Sequence, residues 1–239
     1  MTKKRIWIIP AAVLLVLVLA FIIYVSGYSR ADASAEFSLQ SDGTVTVTET
    51  DYGWLFDGPA EDTALIFYPG GKVDTVAYAP LLHCLAGAGM DVCLVDMPFH
   101  LAVFGIDRAG PVMEEYTYDH WYVGRHSLGG AMAASWASEH GDLLSGVILL
   151  AAYPTKPFDS SLTEVLIYGS EDQVVDKGKI RDGEQYAPDA LTEHVIQGGN
   201  HAQFGNYGPQ KGDGTATISA EAQQAETVDV ILGSLRPED

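Results

Sequence analysis

Residues 121–130, WYVGRHSLGG, decide the fold of this 239-residue chain. The apolar residues 121–123 predict a buried strand, and residues 128–139 predict a helix. Ser127 stands between the two, and a strand–turn–helix context of this kind exposes a nucleophilic hydroxyl on a strained turn. Serine is also a common N-cap residue of ordinary helices. Taken alone, this stretch therefore fits a nucleophile or a helix cap equally well.

The rest of the chain alternates between short apolar runs and helix-like stretches. Short apolar runs separated by helices indicate parallel strands that are covered on both faces. No internal repeat and no linker divides the body of the sequence. We therefore predict an α/β domain built on one doubly wound, mostly parallel sheet. The predicted strands are 44–50 (at an edge), 64–68, 92–95, 121–123, 147–151, 165–168 and 194–196, and the predicted helices are 77–86, 108–116, 128–139, 177–186 and 219–235.

Two further segments place a reactive side chain just after a predicted strand. Asp172 does so in VLIYGSEDQVV, and His201 follows a Gly-Gly-Asn turn in HVIQGGNHAQFG. Ligands gather at the carboxyl ends of the strands in open parallel sheets. A carboxylate at that edge can orient a histidine, which in turn takes the proton of a serine. Glu171 and Asp176 lie close to Asp172 and are alternative acids.

The order serine, aspartate, histidine, each after a strand, resembles that of the α/β-hydrolase superfamily. The chain is most similar to its compact bacterial members, of the dienelactone-hydrolase and esterase kind, which have a small cap or none. The resemblance covers about residues 64–235 and implies the α/β-hydrolase fold. It is carried by IFYPGGKVD (66–74), HSLGGAMAA (126–134), LLAAYP (149–154), YGSEDQVV (168–175) and GGNHAQFGNYGPQKGDGTATIS (198–219).

The resemblance implies a catalytic triad and two-step acyl transfer. Ser127 would be the nucleophile, His201 the general base and Asp172 the acid that orients the histidine. The N–H groups of Leu128 and of Gly71, in a Pro-Gly-Gly-Lys turn, would hold the oxyanion. No cofactor is implied.

Two basic residues, Arg125 and Lys72, lie near the predicted site. The motif G-x-S-x-G would place glycine at position 125, where the chain has Arg125, with Gly124 one place earlier. A long cation there must extend to solvent or distort the turn that carries Ser127. Lys72, in the Pro-Gly-Gly-Lys turn, could bind an anionic substrate or be a solvated turn residue.

Three functions fit this sequence. The first is a serine hydrolase that acts on small carboxylic esters or related acyl compounds. The second is an acyltransferase, which passes the acyl group to an acceptor other than water. The third, suggested by Arg125, is an inactive hydrolase fold that serves as a binding domain. The chain lacks dinucleotide and P-loop motifs, and its two Cys and seven His lack zinc-ligand spacing, so we expect no cofactor and no metal.

The net charge argues against a nucleic-acid partner. The chain has 13 basic and 32 acidic residues, a net charge of −19. Residues 1–30 hold four basic residues and no acidic one, so the rest carries −23, which repels phosphate backbones. Cys84 and Cys93 lie in apolar segments and are expected to be buried free thiols, although one disulfide would suit an extracellular domain. The oligomeric state leaves no signal in the sequence.

The N-terminus predicts a membrane anchor. Residues 6–25, IWIIPAAVLLVLVLAFIIYV, are a 20-residue run without charge, and a helix of that length matches the ~30 Å hydrocarbon core of a bilayer. Three basic residues, 3–5, precede the run, so the positive-inside rule predicts a cytoplasmic N-terminus and an extracellular domain. A signal peptide cleaved near 31–35 is the alternative. We divide this single-pass cell-membrane protein into an anchor (1–27), a small, polar tether (28–43) and the hydrolase domain (44–239).

Overall fold

A mixed sheet of eight strands is the centre of the computed structural model, which describes residues 8–59, 62–127 and 130–235. The strands are β1 (Thr46–Thr50), β2 (Gly53–Asp57), β3 (Thr63–Tyr68), β4 (Asp91–Val95), β5 (His120–His126), β6 (Gly146–Leu150), β7 (Thr163–Gly169) and β8 (Ala190–Ile196). Their order in the sheet is β1-β2-β4-β3-β5-β6-β7-β8.

Most of the sheet is parallel, as the sequence predicts. The strands from β3 to β8 pair in parallel, whereas β1 and β2 form an antiparallel pair that joins the sheet at β4. β1 lies at the edge, as expected for its alternating sequence. β2 was not predicted, because the segment GWLFD is short and begins with a glycine in a turn-rich stretch.

Helices cover both faces of the sheet. The α-helices of the described residues are α1 (Ile8–Ser26), α2 (Ala33–Phe37), α3 (Ala79–Gly87), α4 (Ala109–Glu115), α5 (Gly130–Glu139), α6 (Lys177–Gly183) and α7 (Ala220–Leu235). Apolar residues of α3 and α7 pack into the core on one face, and residues of α4 and α5 pack into the core on the other. This arrangement confirms the predicted doubly wound α/β-hydrolase fold.

The segment predicted as a tether is docked onto the domain. Ser29 pairs with Val73 in an isolated β-bridge, and the Asp32 amide donates to the Asn206 carbonyl at 2.9 Å. The Asp32 side chain then caps α2, which begins at the next residue, and Ala35 within that helix is fully buried.

Helix α1 stands apart from both cores. Residues Ile9–Ser26 have a mean hydropathy of 2.8 and are not buried by the rest of the protein. The helix is therefore long and apolar enough to span a membrane. The basic residues 3–5, on which the predicted orientation depends, lie outside the described residues.

The two cysteines are free thiols. Cys93 is buried in β4, as expected, but Cys84 is exposed. The prediction of two buried thiols was therefore wrong for Cys84, which lies on a helix whose apolar face is supplied by its neighbours Leu82 and Leu85.

Candidate active site

Three side chains that are far apart in sequence meet at the carboxyl edge of the sheet. The Ser127 Oγ lies 2.8 Å from His201 Nε2, and His201 Nδ1 lies 2.8 Å from Asp172 Oδ2. Both distances fit hydrogen bonds. Since the carboxylate can only accept, His201 Nδ1 donates to Asp172, which leaves Nε2 to accept the Ser127 hydroxyl proton.

The backbone at Ser127 is strained. Ser127 follows β5 directly and has a φ of 55°, in the left-handed region that non-glycine residues rarely adopt. Gly124 supplies close packing nearby, because a Cβ there would lie 2.8 Å from Leu65 Cδ1. The turn thus directs the serine hydroxyl towards His201.

Asp172 is held by the loop that follows β7. Its Oδ1 accepts hydrogen bonds from the amides of Val174 and Val175, both at 2.8 Å, so Oδ2 is left for His201. Asp172 and His201 are both almost fully buried. The alternative acids Glu171 and Asp176 bond elsewhere: Glu171 to Ser170, and Asp176 to the first amides of α6.

The loop that carries His201 is fixed from α7. The Asn200 amide donates to Gln223 Oε1 at 2.9 Å, and Gln223 Nε2 donates back to the Asn200 carbonyl at 2.8 Å. Gly169, at the end of β7, allows the loop to approach, since a Cβ there would lie 2.2 Å from the Gly199 carbonyl oxygen. These contacts with α7 and β7 therefore fix the backbone that carries His201.

A second buried histidine, His126, links the Pro-Gly-Gly-Lys turn after β3 to the loop that carries His201. The sequence did not predict this role. His126 Nε2 lies 3.1 Å from the His201 carbonyl oxygen, and its Nδ1 lies 2.7 Å from the Tyr78 hydroxyl. The carbonyl can only accept, so Nε2 carries the proton and Tyr78 donates to Nδ1. The Gly70 amide donates to the same hydroxyl at 3.0 Å. One chain of hydrogen bonds thus connects the turn at residues 69–72, which we call the glycine turn, to the backbone of His201.

Burial keeps this network uncharged. Desolvation, together with the neighbouring His201, holds the pKa of His126 well below its ordinary value. Burial also raises the pKa of Tyr78. The sequence shows His126 only as the residue before Ser127, and it gives no signal for Tyr78, which lies 48 residues earlier.

The glycine turn leaves one amide available at the pocket. The Gly70 amide is bonded to Tyr78, and the Lys72 amide donates to the His100 carbonyl at 2.7 Å. Gly71 lies between them and lines the pocket, and its amide has no acceptor among the described residues. Leu128, the other predicted oxyanion donor, lies outside the described residues.

The pocket beside Ser127 has a volume of about 340 Å³. The glycine turn and His201 form part of its wall, and Ala151 and Tyr153, from the loop after β6, form another part. Lys179 of α6 also lines it, with its ammonium 5.7 Å from the centre of the Tyr153 ring.

Lys72, which was predicted to bind substrate, is not among the lining residues of this pocket. Its ammonium lies over the ring of Tyr24 in α1, 4.4 Å from the ring centre. In the described part of the pocket the lysine that faces the cavity is Lys179, which the sequence analysis did not single out.

Arg125 neither extends to solvent nor displaces the serine. It is fully buried on the face of the sheet opposite His126, and its Nη2 donates to the Tyr153 carbonyl. Burial lowers the pKa of Arg125 to about 9 and raises the pKa of Glu164 to about 7, while the attraction between these two opposes both shifts. The expectation that Arg125 extends to solvent or distorts the turn is therefore not met in this geometry.

Within residues 8–59, 62–127 and 130–235, no group of three His, Cys, Asp or Glu side chains is placed to hold a metal ion.

The chain belongs to the alpha/beta hydrolase family, whose profile matches residues 64–225. No curated protein matches the sequence.

Solved structures of low sequence identity share the fold. A dienelactone hydrolase from Anabaena variabilis is 14% identical, with a TM-score of 0.58, covering 82% of this chain and 99% of its own. An esterase from Mycobacterium tuberculosis is 12% identical, with a TM-score of 0.58 and coverage of 85% and 95%. A membrane phospholipase A, described as a bacterial virulence factor, is 12% identical, with a TM-score of 0.61 and coverage of 98% and 100%.

Proposed function

We propose that this protein is a serine hydrolase that acts on small carboxylic esters or related acyl compounds. The observation that carries the proposal is the unbroken line of hydrogen bonds from Ser127 through His201 to Asp172, with 2.8 Å at each step. The family match makes the chain a member of a hydrolase family, and the esterase among its structural neighbours is consistent with ester substrates.

The reaction proceeds in two steps. His201 Nε2 takes the proton of Ser127 as Oγ attacks the carbonyl carbon, and it then returns that proton to the departing alcohol. The acyl group remains on Ser127. Water then attacks the acyl carbon and gives a proton to His201, which passes it back to Ser127 as the acid leaves. Asp172 holds the imidazole in the required tautomer and stabilises its charged form.

The tetrahedral intermediate carries negative charge on the former carbonyl oxygen. The Gly71 amide is our proposed donor to that oxyanion, with the Leu128 amide as the second. One such donor contributes about 3–4 kcal/mol of barrier lowering. Support for Gly71 comes from its neighbours, since the amides of Gly70 and Lys72 are both already bonded within the protein.

We further propose that α1 anchors the hydrolase domain to the cell membrane, with the N-terminus in the cytoplasm and the domain outside. Its length and hydropathy support the span, and the three basic residues before it support the orientation.

A fluorophosphonate probe and short-chain p-nitrophenyl esters test the catalytic proposal. We expect the full chain to be labelled and to release nitrophenol, and Ser127→Ala to lose both properties. Ser135→Ala, which changes an exposed part of α5, is the matched control and should keep both. An unlabelled wild type with no turnover above Ser127→Ala would establish the binding-domain alternative. Labelling with turnover only when an alcohol acceptor is added would establish an acyltransferase.

A further inference from the structure

Three large apolar side chains stand exposed on the loop after β4. Phe99, Val103 and Phe104 expose 52%, 56% and 51% of their surfaces. This loop leaves the carboxyl end of β4, so it lies at the edge of the sheet where the triad is assembled. Exposed apolar groups that cluster in this way mark an interaction surface. We call these three residues the apolar projection.

The apolar projection packs against α1. The Phe21 ring lies with its centre 5.3 Å from that of Phe99 and 6.1 Å from that of Phe104, both in edge contacts. The two projection rings also contact each other, at 5.5 Å. The projection therefore continues the apolar surface of the helix sideways, along the hydrolase domain.

The length of α1 fixes the depth of this contact in a bilayer. The 19 residues described for α1 span about 28 Å, close to the ~30 Å hydrocarbon thickness, so all of them are used in crossing. Phe21 lies five residues before Ser26, or about 7 Å inside the end of the helix. Rings that touch Phe21 therefore reach below the membrane surface.

Cations and tyrosines lie one turn further out. The Lys72 ammonium lies over the Tyr24 ring, and the Arg30 guanidinium is 5.2 Å from the centre of the Tyr28 ring. Tyrosine, lysine and arginine are the side chains that prefer the headgroup level of a bilayer. Apolar rings below and cation–tyrosine pairs above reproduce the layering of a lipid leaflet.

The same contacts lead directly to the pocket. The His100 ring stacks on Tyr28 at 3.9 Å, and the His100 carbonyl accepts from the Lys72 amide at 2.7 Å. Gly71, the residue before Lys72, lines the pocket that contains Ser127. The loop that carries the apolar projection is thus hydrogen-bonded directly to the glycine turn.

We propose that the apolar projection inserts into the outer leaflet beside α1, and that the Ser127 pocket takes acyl esters that are dissolved in the lipid phase. This inference rests on the proposed hydrolase activity and on the proposed anchor. The occupant of the exposed surface is a lipid bilayer, because the surface is continuous with a helix that is built to cross one.

Probe fluorescence in vesicles tests the insertion without any need for activity. The full chain carrying Cys84→Ser and Val103→Cys is labelled with a nitrobenzoxadiazole probe and reconstituted in phosphatidylcholine vesicles. Lipids with a quenching nitroxide on the acyl chain should quench the probe strongly. The matched control is Leu143→Cys, which starts from a similarly exposed residue, at 51%, on the opposite edge of the sheet. Equal quenching at both positions would overturn the insertion.

Two esters with the same leaving group test the substrate class. We expect Phe99→Ser combined with Phe104→Ser to hydrolyse p-nitrophenyl palmitate in vesicles about tenfold more slowly, because the pocket is no longer seated on the lipid. Turnover of dissolved p-nitrophenyl acetate should stay at the wild-type rate. In the control Leu143→Ser, the turnover of both esters should stay at the wild-type rate.

Equal losses on the two esters would overturn the proposed substrate class, since they would indicate a lid or a structural role for the two rings. Strong quenching at position 103 without turnover of either ester by the wild type would support the membrane contact and contradict the proposed hydrolase. The failures of the two proposals are therefore distinguishable.

Discussion

The guanidinium of Arg125 donates a hydrogen bond to the carbonyl oxygen of Tyr153, a residue of the pocket wall that lies 28 positions further along the chain. Arg125 reaches that wall from beneath, because it is fully buried on β5, next to the turn that carries Ser127. A buried guanidinium with such a contact acts on the shape of the pocket rather than on the reacting atoms.

Replacing Arg125 by methionine should therefore affect binding more than chemistry. We expect Arg125→Met to raise KM for p-nitrophenyl esters about tenfold, with kcat nearly unchanged, because the loop after β6 loses its fixed point. Stability should fall at neutral pH, since Arg125→Met leaves the buried Glu164 without the positive charge that attracts it. Steady-state kinetics and thermal unfolding measure both effects.

Arg181→Met on α6 is the control, and Arg125→Lys should restore part of the lost affinity. An unchanged KM in Arg125→Met would show that the arginine does not position the loop.

Removing one carboxylate oxygen should remove most of the turnover. In Asp172→Asn, the side-chain oxygen can still accept from Val174 and Val175, so the amide nitrogen faces His201 and stabilises the wrong tautomer. We expect kcat to fall by about 10³–10⁴-fold, with the protein still folded. Glu171→Gln, one position earlier, should keep the wild-type rate. Comparable rates for both variants would rule out Asp172 as the orienting acid.

The Tyr78 hydroxyl offers a test of the second histidine. Tyr78→Phe leaves the Gly70 amide and His126 Nδ1 without their partner, which costs about 1–3 kcal/mol of stability and loosens the glycine turn. We expect kcat to fall about tenfold.

Tyr68→Phe is a matched control for this variant. The Tyr68 hydroxyl also joins two backbone groups, as it donates to the Ile106 carbonyl and accepts from the Ala109 amide. It should lose similar stability with no change in kcat, so equal kcat losses would argue against a role for Tyr78 at the site. Denaturant unfolding and ester kinetics separate the two quantities.

The buried Glu164 predicts a specific dependence of stability on pH. Burial raises its pKa from 4.5 to about 7, so between these values the folded state binds more protons than the unfolded state. The free energy of unfolding should therefore fall as pH rises from 4.5 to 7, by about 2–3 kcal/mol from this group. Below 4.5 the group is protonated in both states, and the penalty is absent.

Glu164→Gln removes this titration, so the free energy of unfolding of this variant should fall less as the pH rises. Denaturant unfolding at pH 5 and at pH 7.5 measures the difference, with the exposed Glu49→Gln as the control. An equal fall in wild type and Glu164→Gln would show that other groups, such as the buried Asp91, whose pKa is also raised, control the pH dependence.

Much of the fold was predictable because the signals are local. Short apolar runs predicted the six parallel strands, and Ser127, Asp172 and His201 follow three of them within one, three and five residues. Parallel strands present their carboxyl ends at one edge, so residues that follow strands are brought together without any knowledge of contacts. That the three side chains meet was therefore deducible, although their distances were not.

The parts that sequence missed depend on packing across the sheet. Tyr78 and His126 are 48 residues apart, and nothing in either segment indicates that their side chains meet. Lys72 was considered as a pocket cation because it lies in the Pro-Gly-Gly-Lys turn, but its ammonium lies over the ring of Tyr24 in α1. Arg125 was expected to extend to solvent or to distort the turn, whereas it donates to the carbonyl of Tyr153, three residues beyond β6.

The docking of residues 28–43 leaves no slack between α1 and the sheet. Ser29 pairs with Val73 and Ala35 is buried, so the chain that leaves α1 is held against the domain and is not a flexible linker. On the proposed anchor, this attachment would keep the domain at one fixed height above the bilayer, and lateral diffusion in the plane of the membrane would bring it to new molecules.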